Sequence, residues 1–82
     1  MTAFQILNKI TTDFKFFKFD RKNQPLVMVK YFKDTVPMHV QSVQTNHIIA
    51  FTNKGERKKI PYHLLSDWDL GIILMKLKKM KV

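Results

Sequence analysis

Cysteine is absent, glycine occurs only twice, and acidic residues number six. Without cysteine there is no disulfide framework and no Cys-based zinc or redox site, which excludes a small secreted scaffold stapled by disulfides. Two isolated glycines, Gly55 and Gly71, supply no glycine-rich loop to cradle a phosphate. No apolar run approaches the ~18 residues that span a bilayer. Residues 1–8 carry no cation ahead of their apolar positions, so neither a signal peptide nor a transmembrane segment is expected, and the expected compartment is the cytoplasm.

What is present is apolar and basic. Of 82 residues, 45% are hydrophobic and ten are aromatic (seven Phe, two Tyr, one Trp), enough for one folded domain over residues 1–82 held by apolar packing. Fifteen Lys plus Arg against six acids give a net charge of +9, which favours an anionic partner: nucleic acid, an acidic protein or an anionic membrane. Thirteen of the fifteen cations are Lys. Lys, Ile, Phe and Asn all use A/T-rich codons, so genome composition is a second source of the charge.

Periodicity divides the chain. Thr2 and Gln5 have capping-box spacing, and Ala3, Ile6, Leu7 and Ile10 recur on one helical face, so a short helix is expected that ends at Thr11 and Thr12. From Asp13 the period becomes two, which predicts a strand over 13–19 and a hairpin through residues 20–25 to a second strand over 26–32. Further strands are expected over 36–44, 48–52 and 58–62, with Pro37 tolerable only at a strand start or edge. Asn53, Lys54 and Gly55 make the clearest hairpin turn.

Ser66, followed by Asp67 and Asp69 and later by lysines, reads as a capped helix whose charges suit its dipole. Leu70, Ile73, Leu74, Leu77 and Met80 form its apolar arc; Ile72 and Met75 fall outside, and a strand over 71–77 competes.

The fold class expected is therefore mainly β (α+β): a five-stranded antiparallel meander with short N-terminal and C-terminal helices. This element order resembles Sm-like and SH3-like domains, and the resemblance implies closure into a small barrel. An open antiparallel sheet with both helices on one face is the alternative.

Catalysis finds little support. Asp67 and Asp69 are explained by capping, and His39, His47 and His63 lack any zinc-ligand spacing, although a turn near 43–46 could pair His39 with His47. No cofactor or metal is expected, and no nucleophile–base arrangement is recognisable. Basic clusters say more. Lys54, Arg57, Lys58 and Lys59 crowd one hairpin, where they suit a phosphate backbone or merely protect a sheet edge. Lys76, Lys78, Lys79 and Lys81 make the C-terminus the most basic window. The Phe-rich segment from Phe14 to Phe19, interleaved with Lys15 and Lys18, is read as core in preference to a base-stacking platform. Tyr31 and Tyr62 are the candidates for exposed stacking, and Trp68 is expected to anchor the last helix.

The function expected is a small basic non-enzymatic nucleic-acid-binding or regulatory protein of low sequence specificity, because only two arginines are available for base readout. The alternative is a protein-interaction module or inhibitor, of the kind a phage or mobile element encodes, that docks an acidic partner. A third reading lays the C-terminal helix on an anionic membrane. A homo-oligomer is compatible with each.

Overall fold

In the computed structural model, which describes residues 2–31 and 33–80, the chain forms two helices and one four-stranded antiparallel sheet. Helix α1 spans Ala3–Asp13; strands β1 (Leu26–Tyr31), β2 (Asp34–Val43), β3 (His47–Thr52) and β4 (Arg57–Pro61) follow as a meander; a 3-10 turn at Tyr62–Leu64 leads into helix α2 (Asp67–Met80). Tyr31 contributes its backbone to β1, and its side chain lies outside the described part.

The capping box at α1 forms as its sequence requires, with the Gln5 amide on the Thr2 hydroxyl and the Thr2 amide on the Gln5 side chain. The helix runs two residues past Thr11. The Thr11 hydroxyl bonds back to the Leu7 carbonyl at 3.0 Å, and Lys9 pairs with Asp13 at 2.6 Å. A threonine that satisfies its own hydroxyl this way is tolerated inside a helix.

The expected strand over 13–19 does not form. Phe14 caps α1, residues 15 and 16 turn with Phe16 at φ 64°, and only an isolated bridge from Lys18 to Ser42 remains. The Phe19 amide bonds the Gln41 carbonyl and the Val43 amide bonds the Phe17 carbonyl, beyond the point where β1 pairing stops at His39. This short stretch therefore serves the last residues of β2, with Phe17 and Phe19 in edge-to-face contact at 5.1 Å.

The sheet is open, with order β1-β2-β3-β4, so the five-stranded barrel is replaced by the other architecture weighed from the sequence. Four strands with both helices on one face bury that face without closure. One cluster joins Ile6, Ile10 and Phe14 of the N-terminal part, Val27, Val29, Met38, Val40, Ile48, Ala50 and Ile60 of the sheet, and Leu70, Ile73, Leu74 and Leu77 of α2. The arc predicted for α2 is thus the buried one, and the competing strand over 71–77 is ruled out. Because that arc faces the core, it is not free to enter a membrane surface; among the described residues no helix is long and apolar enough to cross one.

Both sheet edges carry protection against stray pairing. β4 ends in Pro61 and is studded with exposed cations, while on β1 the Met28 amide is taken by Asp69 of α2. Pro37 sits opposite Met28, one residue beyond the β2–β3 ladder that starts at Met38, so its missing N–H removes no pairing with β3.

Candidate nucleic-acid interface

Partners across an antiparallel pair share a face, and strand alternation sends their neighbours to the other. Val27, Met38, Val40, Ala50, Ile48 and Ile60 point to the helices, which leaves a second face open. Two cross-strand rows run over it. In one, Leu26 lies opposite His39, His39 opposite Phe51 and Phe51 opposite Arg57. In the other, Lys18 lies opposite Ser42, Ser42 opposite Ile49 and Ile49 opposite Lys59. The step between them is a bulge in β2 between Val40 and Ser42. Each row ends in a β4 cation.

Two shallow clefts sit on this face and share Lys18, Gln41 and Phe51, so they form one trough. One cleft is lined by Arg21, His39 and Asn53, the other by Phe16, Gln44 and Arg57. The acid in the lining is Asp20, whose carboxylate is engaged by the Asn23 side chain at 2.7 Å. Phe16 is 61% exposed with the Lys15 ammonium 5.2 Å from its ring centroid, and Phe51 is half-buried on the trough floor. A non-glycine residue at positive φ costs of order 1 kcal/mol or more, a cost found most often where position matters.

The residues singled out from the sequence are not one patch. Arg57 and Lys59 share the open face, whereas Lys58, opposite Ala50, alternates to the other side and pairs with Glu56 at 3.4 Å. Lys54 is exposed in the hairpin turn, where Gly55 takes φ 83° as the turn demands. Lys76, Lys78 and Lys79 lie on α2, and Lys76 and Lys79 border a cleft with Pro25 and Leu26 at the β1 edge, far along the sheet from β4. Lys81 and the Tyr31 side chain lie outside the described residues.

Tyr62 is a correction. It is 6% exposed, and its hydroxyl donates to the Gln44 carbonyl at 2.6 Å, so its ring is core and presents no stacking surface. Burial pushes its pKa up to about 12, against the smaller opposing effect of that hydrogen bond. Trp68 is a second correction: it is 76% exposed and anchors nothing in the core. His39 and His47 do not meet either, since they lie opposite Phe51 and Pro61 respectively. Among the described residues no three His, Asp or Glu side chains are grouped to hold a metal ion.

Sequence reading missed Lys18, Arg21, His39, Gln41 and Phe51 as trough residues. Alternation alone would have separated Lys58 from Arg57 and Lys59; the rows needed the register. Comparison with protein-family models, curated proteins and solved structures finds no match to this chain.

Proposed function

We propose that the chain is a non-enzymatic, low-specificity nucleic-acid-binding protein that takes a single strand along the open face of its sheet. The observation that carries this reading is the trough itself: two Phe rings, at positions 16 and 51, set among Lys18, Arg21 and Arg57, with Lys59 on the adjoining row. Ring faces accept any base by stacking, and the cations neutralise phosphates without reading sequence. Gln41 and Gln44 add polar contacts of the kind a base edge or sugar accepts.

The face suits a single strand better than a duplex. A duplex buries its base faces, so Phe16 and Phe51 would meet only backbone, and both helices among the described residues pack on the other face of the sheet.

Fluorescence anisotropy with labelled single-stranded DNA, single-stranded RNA and duplex DNA, at low and at physiological salt, tests the proposal. Micromolar binding of single strands at low salt, with duplex weaker, is the expected result. Neutralising about three to five phosphates gives a slope of log K against log salt near −2 to −3.5. Absence of binding at low salt, or binding indifferent to salt, overturns it.

A further inference from the structure

At the opposite edge of the sheet, where the first cross-strand row ends at Leu26, the surface is built for a different contact. On α2, Trp68, Ile72 and Met75 recur at i, i+4 and i+7 and fall within about 60° of one another at 100° per residue, outside the arc that the core uses. Trp68 is 76% and Met75 63% exposed. Beside this stripe lie Leu26 and Met28 of β1, both nearly half exposed: Met28 lines one cleft with Trp68, and Leu26 lines the next with Ile72 and Met75. Five large apolar side chains thus form one seam along the β1 edge. Contiguous apolar surface of this kind on a small protein marks a contact.

The rim decides what the contact is. Lys30 borders the cleft at the Trp68 end, and Lys76 and Lys79 border the other. The one acid lining either cleft is Asp69, which is 3% exposed and has both carboxylate oxygens engaged, by Met28 and Ser66. Among the described residues that line the two clefts, the accessible charge is therefore of one sign, while the exposed Asp67 lies next to Trp68 outside both linings. A second copy docked face to face would set lysine rim against lysine rim, whereas a partner with carboxylates flanking an apolar ridge finds complementary charge at both ends. Strand addition does not suit the seam, because the outward Met28 amide that a new strand would need is already bound by Asp69.

We propose that the Trp68–Ile72–Met75 stripe with Leu26 and Met28 is a docking seam for an acidic amphipathic helix of another protein. That helix lies alongside α2, its apolar ridge on Trp68 and Met75 and its Asp or Glu residues against Lys30, Lys76 and Lys79. Trp68 is the anchor, as exposed tryptophans at such centres tend to be.

Trp68 is the one tryptophan of the chain, so its emission reports the seam directly. The probes are three synthetic helical peptides: Leu at i, i+3, i+4 and i+7 with Glu elsewhere, the same with Lys for Glu, and the same with Ser for Leu. The Leu/Glu peptide is expected to blue-shift Trp68 emission saturably at micromolar concentration. The Lys version is expected to have no effect, and the Ser/Glu version, which can occupy the basic trough, is expected to leave the emission unmoved. Met75→Glu, on a side chain that contributes little to the core, should weaken the Leu/Glu peptide about tenfold while its melting temperature stays unchanged, and a single-stranded oligonucleotide should not displace the peptide. An unmoved emission, or equal response to the Lys version, overturns the proposal. So does a blue shift produced by phosphatidylserine vesicles but not by the peptide, which makes the seam a lipid contact, or sedimentation of the free chain as a dimer that already shields Trp68.

Discussion

The Asp69 carboxylate accepts the backbone amide of Met28 at 3.2 Å, across 41 residues of sequence, and so fastens the first turn of α2 to the β1 edge. Its other oxygen accepts the Ser66 hydroxyl at 3.0 Å, and its own amide donates back to that hydroxyl at 3.1 Å. One carboxylate thereby holds the Ser66 hydroxyl that caps α2 and closes part of a sheet edge.

Replacing Asp69 by Ala keeps the cap bond from the residue-69 amide to the Ser66 hydroxyl, but removes the acceptor of that hydroxyl and leaves the Met28 amide without its own. A loss of about 2 kcal/mol is expected, roughly half from the lost Ser66 hydroxyl bond to the carboxylate and half from the orphaned Met28 donor. Asp69→Asn, which keeps an acceptor oxygen, should lose about half as much. Urea unfolding measures both, and hydrogen exchange at Met28 should quicken in the Ala variant ahead of the rest of β1. Equal stability of wild type and Asp69→Ala would refute the linkage.

Tyr62 makes alkaline stability a test of burial. Its pKa in the folded state is about 12 against an ordinary 10, so the folded state keeps the phenol proton at pH values where the unfolded chain has lost it. The stabilisation is fully present below pH 10 and declines as pH rises toward the folded value. Wild type should therefore lose stability more steeply than Tyr62→Phe between about pH 10 and 12. At neutral pH Tyr62→Phe should be less stable by about 1 kcal/mol, the worth of the hydroxyl bond to Gln44. Parallel pH profiles would count against this account.

The two glycines should respond to alanine with opposite signs. A Cβ at either meets nothing within 4 Å, so space decides nothing. Gly55 sits at φ +83° in the β3–β4 turn, and alanine there should cost about 1 kcal/mol. Gly71 is inside α2 with ordinary helical backbone, and alanine should stabilise by about 0.5–1 kcal/mol by lowering the unfolded-state entropy. Thermal melts of the two variants, one lower and one higher than wild type, are the check.

Much of the fold was legible because hydrophobic period and end signals agreed. The capping box at Thr2 and Gln5, the α2 arc and the Gly55 turn are local features, and each formed. Residues 13–19 misled because alternating Phe and Lys is what both a strand and a turn flanked by two core aromatics can produce. What decided between them was whether β2 had a partner along its last residues, a fact that lies some 25 residues away in the chain. Tyr62 was unreadable for a similar reason, its acceptor being the carbonyl of Gln44. Trp68 was readable: the helical wheel sets it with Ile72 and Met75, away from the buried arc, and only the habit of Trp as an anchor argued otherwise. The basic residues were visible as charge, but the rows that join Lys18 to Lys59 and His39 to Arg57 exist only in the register.

That register makes a distribution of charge effects the sharpest prediction for binding. Charge counting treats Arg57, Lys58 and Lys59 alike, and it treats the α2 lysines as equal to them. The open face does not: Arg57 and Lys59 lie on it, Lys58 points away toward Glu56, and Lys76 and Lys79 sit at the β1 edge on the far side of the sheet. Lys18→Gln, Arg57→Gln and Lys59→Gln should each weaken single-strand binding and lower the magnitude of the salt slope by about 0.7, the value of one phosphate contact on a single strand. Lys58→Gln and the pair Lys76→Gln with Lys79→Gln should leave that slope within error, changing affinity only through net charge. Phe51→Ala should weaken binding by about 1–3 kcal/mol without touching the slope, since stacking releases no counterion. If all the lysine variants fall on one line set by net charge alone, the trough is not the binding surface and the affinity belongs to the +9 chain as a whole.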